Sequence, residues 1–402
     1  MRNVKDQYSS RLTTFDHINR ITKEFTQPVT QSGWAMPQEE TKVKKTDPRG
    51  TELFRGFLHL SSAIGSDILK TQGAGGNTSI KDGGVMWVKA SGTWLSKAED
   101  QDIMVPVVVE PLVAALREGD PRAEKSTDFV VAEFNSSGLR PSIETSFHAA
   151  LNSPVVAHYH CVNAIALAVL KDRDAELTGR MSAVADLKWV TIPYRRPGTP
   201  LAAEIEKVAA SRPDVLLLFN HGIIVCGETV EEVESKISRV TKALSVTPRE
   251  TATPDIEELA AIAQGSSFHP AQDCSSHAVA LSQANQAIAL GGSLYPDHVI
   301  FLGTEIGVLG DGQTATDYEA ALSREGRDAP KMLLVPNKGI LLSSTLTAGG
   351  EVMARCLAEV VGRIPDGRAV AYLSKDDEHE LTHWEAEQYR QALDRGSERQ
   401  SA

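Results

Sequence analysis

Short apolar strands alternate with amphipathic helices between residues 51 and 245, and this pattern most constrains the fold. The run "DVLLLFNHGIIVCGET" has the composition of two buried strands that meet at Asn220 to Gly222, and "TVEEVESKISRVTKAL" follows it with helical spacing. The helix opens as a capping box, with Thr229 as the cap and Glu232 three residues later. Because strands and helices interleave, the sequence predicts an α/β domain.

A stretch further upstream, "PSIETSFHAALNSPVVAHYH", contains polar side chains where a helix and an apolar strand are expected. In a regular strand His158 and His160 would lie on one face, about 7 Å apart at Cα, within reach of one metal ion. An isolated pair of this kind more often has one histidine in the core and the other in solvent. The pair alone therefore leaves both interpretations open.

A third histidine, His221, follows the apolar run "DVLLLF" and precedes Gly222, which lets the backbone turn closely past a bound group. Three protein ligands with one open position are typical of a catalytic zinc site. The alternative for a lone histidine at a strand end is a structural role. The arrangement favours the metal site, because a glutamate on a predicted helix accompanies the two apolar strands that carry the histidines.

That glutamate, Glu144, is predicted to lie on a helix with His148 one turn later on the same face. An isolated glutamate is usually a solvated surface acid. Beside a metal ion it would be a general base, with burial raising its pKa toward neutrality. We expect His148 to support the site without binding metal.

The segment "GAGGNTS" supplies glycines at positions 73, 75 and 76, followed by Asn77. We expect a helix to run from Thr51 up to Gly73 and a hairpin to span Thr78 to Lys89 around "DGG". Free backbone N–H groups in such a loop suit an anion. The segment has neither a G-x-G-x-x-G fingerprint nor a P-loop, and a simple turn is the alternative.

A Pro-rich break after residue 245 separates a second unit. It offers helices near residues 256–263 and 277–289, strands in "HVIFLG" and "KMLLVPNKGILLSS", and a helix in "TAGGEVMARCLAEVVGRI". These patterns predict a smaller α/β domain over residues 255–377. Residues 1–50 have the composition of an extension, with one amphipathic segment from Phe15 to Phe25, and residues 378–402 are a charged tail.

The net charge of −12 and the pI near 5.5 argue against nucleic acid or an anionic membrane as partner, since both reward basic patches. The first residues are charged throughout and lack the apolar core of a signal peptide. The four cysteines show none of the short paired spacings of zinc or redox sites. We therefore expect a cytoplasmic protein that acts on small molecules.

Six motifs, taken in order, resemble those of the class II aldolase/adducin family over Leu53 to Leu244: "GAGGNTSIK", "VKASG", "RPSIETSFHAAL", "VVAHYHCVNAIAL", "IPYRRPGTPLA" and "LLLFNHGIIVCGETVEEV". "GGNTS", "VKASG" and "PSIETSFHA" are most similar to the rhamnulose-1-phosphate aldolase domain that is found fused to a short-chain dehydrogenase. "SLYPDHVIFLG" extends the likeness past residue 300.

The resemblance implies a three-layer domain over residues 51–250, with a central, mainly antiparallel sheet flanked by helices. It also implies a divalent metal, most often Zn²⁺, with Mn²⁺, Co²⁺ or Fe²⁺ as alternatives. The metal ligands then fall on His158, His160 and His221, and the acid/base glutamate on Glu144. The phosphate-binding positions of the family fall on five residues: Gly76, Asn77, Ser91, Gly92 and Ser142.

Two positions depart from the family pattern. Ile143 stands where phosphate-binding relatives often have a second serine, and residues 171–187 lack the tyrosine that fuculose-phosphate aldolases contribute from a neighbouring subunit. Tyr159 and Tyr194 remain open as substitutes, although Tyr159 alternates away from the two histidines in a regular strand.

The resemblance implies a class II aldolase that cleaves a hydroxylated ketone, with a ketose phosphate as the expected substrate. Epimerisation, decarboxylation or dehydration at the same metal site is an alternative, as is an adducin-like or regulatory binding protein without catalysis. Family members are commonly tetramers, so a homo-oligomer is expected.

Overall fold

The computed structural model describes residues 47–384 of the 402-residue chain. The helices are α1 (Glu52–Ser66), α2 (Val109–Glu118), α3 (Arg122–Lys125), α4 (Thr145–Ala150), α5 (Val162–Ala168), α6 (Arg173–Met181), α7 (Thr199–Ala209), α8 (Val230–Ala243), α9 (Ile256–Ala263), α10 (Gln283–Ala289), α11 (Ala315–Glu325), α12 (Ala348–Arg363) and α13 (Lys375–Thr382). The strands are β1 (Asn77–Asp82), β2 (Val85–Lys89), β3 (Met104–Val108), β4 (Val155–Tyr159), β5 (Trp189–Ile192), β6 (Val215–Leu218), β7 (Gly222–Gly227), β8 (Phe268–Pro270), β9 (Gly307–Val308), β10 (Met332–Val335) and β11 (Gly339–Ser343). The segment from Phe15 to Phe25 and most of the charged tail lie outside the described residues.

A seven-stranded sheet with the order β3-β2-β1-β4-β7-β6-β5 forms the centre of the larger region. Its neighbouring strands are antiparallel, except that β5 and β6 run parallel. The predicted hairpin is β1 and β2, joined at Gly83 and Gly84 with positive φ angles that glycine adopts without strain. The mainly antiparallel sheet confirms the expected fold class.

Helices cover both faces of this sheet. Residues of α1, α6 and α8 share an apolar cluster with one face, and residues of α2, α4 and α7 share another with the opposite face. Burial on two sides explains why strands β6 and β7 are apolar along their whole length. The arrangement is the three-layer domain that the sequence predicted.

The second sheet has the order β8-β11-β10-β9 and belongs to the later part of the chain. Helix α5 of the first region packs in the same apolar cluster as α10, α12 and strands β10 and β11. The prediction of a strand in "HVIFLG" was wrong, because His298–Leu302 forms a π-helical turn whose side chains are all buried. Periodicity does not separate a short buried strand from a buried helical turn. The domain boundary near residue 250 stays a prediction.

Strand register brings distant segments together at one end of the large sheet. Asn77 at the start of β1 pairs with His158 in β4, and His158 pairs with Ile224 in β7. The expected helix up to Gly73 is shorter, since α1 ends at Ser66. The loop between Ser66 and Asn77 therefore runs past the ends of β1 and β4.

Among residues 47–384, none of the helices combines the length and apolar composition that a membrane crossing requires.

Candidate metal and active site

Three histidines converge at the end of the central strands. His158 is the penultimate residue of β4, His160 follows that strand directly, and His221 lies in the turn between β6 and β7. Their ring centres are 4.9 to 5.1 Å apart, and one nitrogen of each ring lies within 4.8 Å of the others. Side chains of all three are buried. The structure therefore brings together the three residues that the sequence predicted as metal ligands.

The turn that carries His221 requires close backbone approach. A Cβ at Gly222 would lie 2.6 Å from the carbonyl oxygen of Tyr159, so only glycine fits there. Asn220 has a positive φ of 52° and donates from Nδ2 to the carbonyl of Leu294 at 3.0 Å and to that of Ala371 at 2.7 Å. The turn is thereby held both against β4 and against the later part of the chain.

The hydrogen-bonding state of the rings indicates what the site can hold. Nδ1 of His158 lies 3.0 Å from the carbonyl oxygen of Ile223, which only accepts, so the proton is on Nδ1 and Nε2 carries a lone pair. Nδ1 of His160 lies 2.8 Å from a carboxylate oxygen of Asp297, which favours the same tautomer. The two Nε2 atoms are only 3.2 Å apart.

Two lone pairs at that distance repel each other unless a cation lies between them. Glu144 adds negative charge, with Oε2 3.4 Å from Nε2 of His158 and Oε1 3.5 Å from Nε2 of His221. Glu144 Oε1 is buried and has no hydrogen-bond partner among the described residues. The donor set therefore fits a divalent metal ion of the kind that imidazole prefers, such as Zn²⁺.

Burial keeps His158 and His221 neutral. Loss of solvation lowers the pKa of His158 to about 4 and that of His221 to about 3, although the nearby Glu144 carboxylate opposes the shift in both cases. A neutral imidazole is the form that binds metal. At neutral pH the site is ready to accept a cation without first releasing protons from these two rings.

Glu144 is not on a helix, contrary to our expectation. It is the residue before α4, with φ −104° and ψ 9°, and the helix spans only Thr145–Ala150. The N–H of Glu144 donates to Oγ of Ser142 at 3.2 Å, and the N–H of Thr145 donates to the carbonyl of Ser142 at 3.1 Å. This turn points the carboxylate at the histidines.

The pKa of Glu144 also differs from the expectation. Burial raises it, as we assumed, but electrostatic attraction to the three histidines and a hydrogen bond from Asn77 outweigh burial and hold the pKa below its ordinary value. A cation in the site would act in the same direction. Glu144 is thus a carboxylate at neutral pH.

His148 lies behind this carboxylate and away from the metal ligands. Its Nε2 donates to Oδ1 of Asn77, and Nδ1 accepts a hydrogen bond of 2.8 Å from Ser79. Asn77 in turn donates from Nδ2 to Glu144 Oε2 at 2.8 Å and to Ser142 Oγ at 3.0 Å. A chain of buried polar groups therefore orients Glu144, and His148 is one link of it.

The five residues predicted to bind phosphate line one cleft together with Glu144, His160 and His221. Gly76 has a positive φ of 61°, and a Cβ there would lie 2.9 Å from the carbonyl oxygen of His158. The loop with Ser91 and Gly92 is tied to the Ser142 loop, since the N–H of Ser91 donates to the carbonyl of Arg140 at 3.0 Å. The N–H of Ser142 donates to the carbonyl of Lys89, also at 3.0 Å.

Two further charged residues line the same cleft: Asp297, which sequence reasoning missed, and Lys89. Lys89 is buried and its ammonium donates to the carbonyls of Ala74 at 2.8 Å and Thr93 at 2.7 Å. Its position in "VKASG" was a usable signal, because a lysine inside a buried strand is rare. Among the described residues that line the cleft there is no tyrosine, so neither Tyr159 nor Tyr194 contributes to its wall.

A three-layer α/β domain with three clustered histidines beside a glutamate has the features of a metal-binding domain. Residues 69–247 match the family described as the class II aldolase and adducin N-terminal domain, so this part of the chain is a class II aldolase/adducin domain. The closer likeness to the rhamnulose-1-phosphate aldolase domain of a dehydrogenase fusion stays a prediction.

Two curated relatives from Escherichia coli strains, both named 3-oxo-tetronate 4-phosphate decarboxylase, are 33% identical over 119 residues, or 26% of this chain. The match covers 53% of each relative, so the chain spans about half the length of the curated relatives it matches. A class II aldolase domain from Thermoplasma acidophilum is 23% identical, covering 50% of this chain and 97% of that one, with a TM-score of 0.42. An L-fuculose 1-phosphate aldolase is 18% identical, covering 48% and 84%, with a TM-score of 0.36.

Proposed function

We propose that the protein is a metal-dependent lyase that breaks the bond between the α and β carbons of a hydroxylated, phosphorylated ketone. The observation that carries this proposal is the meeting of three imidazole nitrogens, one carboxylate and one donor-lined loop in a single cleft. His158, His160 and His221 would hold the metal ion. When bound, a divalent ion supplies Lewis-acid polarisation of the carbonyl oxygen.

Glu144 is proposed to handle the proton on carbon. Bond cleavage leaves an electron pair on the carbon next to the carbonyl, and that carbon must receive a proton; bond formation requires the reverse transfer. Glu144 is buried, ionised and held at one oxygen by Asn77, which leaves Oε1 without a hydrogen-bond partner among the described residues. That oxygen is placed to accept or return the proton.

The glycine and serine loops of this cleft are proposed to bind the phosphate. Gly76 and Gly92 line the cleft, as do Asn77, Ser91 and Ser142. Hydrogen-bond donors of such loops hold the anion and fix the distance between it and the reacting carbon. Ile143 lies in the same lining and offers no donor.

Aldol cleavage of a ketose phosphate is the first candidate reaction. The names of the Escherichia coli relatives favour a second, decarboxylation of a 3-oxo acid phosphate. Both reactions need the phosphate to be held in the cleft and the carbon next to the carbonyl to be protonated. Aldol cleavage releases an aldehyde, whereas decarboxylation releases CO₂.

The deciding experiment incubates the zinc-loaded protein with a panel of ketose phosphates and 3-oxo acid phosphates, and measures aldehyde and CO₂ separately. Aldehyde release that depends on Glu144 supports the aldolase, whereas CO₂ release with the same dependence supports the decarboxylase. Bound zinc without turnover of any member of the panel would contradict the enzymatic proposal and favour a binding protein.

A further inference from the structure

We propose that Asp297 is a positioning residue for the metal ligand His160, so that the part of the chain after residue 250 completes the metal site. This inference rests on the proposed metal site and extends it beyond the residues that match the family. It depends on one contact, the 2.8 Å between Oδ2 of Asp297 and Nδ1 of His160.

Both partners of this contact are removed from solvent, with Asp297 2% and His160 6% exposed. Burying an ionised carboxylate is costly unless a partner compensates it. The backbone around the contact leaves space for it: a Cβ at Gly75 would lie 2.9 Å from Nδ1 of His160 and 3.0 Å from Oδ2 of Asp297. Any larger residue at position 75 would push the two groups apart.

The segment that carries Asp297 is fixed at several points. Asn220, next to His221, donates to the carbonyl of Leu294 at 3.0 Å, and Oγ of Ser293 donates to Oε1 of Glu378 at 2.8 Å. Tyr295 is buried in the apolar cluster that includes α5 and α12. The position of the carboxylate is therefore set by packing on both sides, as a positioning residue requires.

A carboxylate on Nδ1 keeps the proton on that nitrogen and leaves the Nε2 lone pair for a metal ion. It also fixes the plane of the ring and raises the basicity of the ligand nitrogen. His158 obtains the same assistance from the carbonyl of Ile223. Loss of such a partner typically weakens metal binding roughly 10- to 100-fold.

The test compares Asp297→Asn with Glu378→Gln in the full chain. Each change replaces a buried acid by the corresponding amide. Glu378 accepts a hydrogen bond from Ser293, in the same segment as Asp297, but has no described contact with a histidine of the site. Zn²⁺ affinity is measured by competition with a chromophoric chelator, and the visible spectrum of the Co²⁺-loaded protein reports ligand geometry.

We expect Asp297→Asn to bind Zn²⁺ about 10- to 100-fold more weakly and to change the Co²⁺ spectrum, while Glu378→Gln keeps wild-type values for both. Asp297→Glu, which retains the carboxylate, serves if the asparagine variant does not fold, and should bind metal more tightly than any folded variant with a neutral side chain at position 297. Wild-type affinity and spectrum in Asp297→Asn, or equal losses in both neutral variants, would overturn the proposal. A His158→Gln variant with undiminished zinc affinity would instead overturn the metal site itself.

Discussion

Asn77 connects the proposed phosphate loop to the proposed base, because its Nδ2 donates to Oε2 of Glu144 over 2.8 Å. The same amide receives a hydrogen bond from His148 at Oδ1. An amide held on both sides has one orientation, so Glu144 Oε2 is occupied by Asn77, whereas Oε1, 3.5 Å from Nε2 of His221, has no hydrogen-bond partner among the described residues. The site thus presents a single carboxylate oxygen for proton transfer.

The variant Glu144→Gln should therefore keep its metal and lose turnover. A glutamine oxygen can still accept from Asn77, but an amide cannot take up and return a proton as a carboxylate does. We expect kcat to fall by about 10²- to 10⁴-fold. Elemental analysis should show wild-type metal content in the same preparation, and near-normal turnover would refute the role of Glu144.

Replacement of His158 and of His148 by glutamine should separate a ligand from a supporting residue. His158→Gln should not retain stoichiometric Zn²⁺ after dialysis, since one of three imidazole donors is lost. His148→Gln should retain it, because His148 contacts Ser79 and Asn77 rather than the cluster. Metal content by mass spectrometry decides between them, and loss of zinc from both variants would contradict this assignment.

A Ser91→Ala variant should weaken binding of phosphorylated substrates selectively. Ser91 lines the cleft, and a hydrogen bond to a charged group contributes about 1.5–3 kcal/mol. We expect KM to rise roughly 10- to 100-fold with little change in kcat. The control is the matching substrate without its phosphate, for which wild type and variant should have equal KM; a rise there too would argue against a phosphate contact.

Stability should decrease with acid because His298, a buried histidine outside the metal site, has a lowered pKa. Burial lowers the pKa of His298 to about 4, whereas an unfolded histidine titrates near 6.5. Between these pH values the unfolded state binds more protons than the folded one. The contribution of His298 to stability is therefore fully present above about pH 6.5 and is lost as the pH falls toward 4. This single group accounts for about 3 kcal/mol over that interval.

The measurement is the free energy of unfolding in urea between pH 7 and pH 4. The His298→Asn variant should show a smaller loss than wild type, since an amide oxygen can accept from the N–H of Leu294, as Nδ1 does at 3.3 Å, and carries no titrating proton. Parallel pH profiles for the two proteins would show that His298 does not titrate on unfolding.

The sequence was informative where local chemistry decides the structure. The Thr229 cap of α8 and the strands that meet at Asn220 were predicted because capping and apolar runs are local signals. The three histidines were predicted to cluster because the motifs, in their order along the chain, resemble those of a family. The resemblance implies that these histidines bind one metal ion. Glu144 was predicted as a site residue, but its position before a short helix was not predicted. That position depends on the turn at Ser142, which is hydrogen-bonded to Lys89 of the neighbouring strand β2.

Asp297 could not be predicted in the same way. It lies in "SLYPDHVIFLG", where the following apolar residues gave no means of separating a strand from a buried π-helical turn. Its contact with His160 joins segments far apart in the chain and depends on the space left at Gly75. Such a contact is specified by tertiary packing, which a single sequence does not reveal.

The pairing of Asn77 with His158 has a consequence for the order of folding events. The two residues belong to strands that are distant in the chain, and His158 pairs in turn with a strand that is still further along. Closing such long loops is slow, and it must be complete before the three imidazoles can share an ion. A metal ion would then mainly lower the rate of unfolding and would not raise the rate of folding.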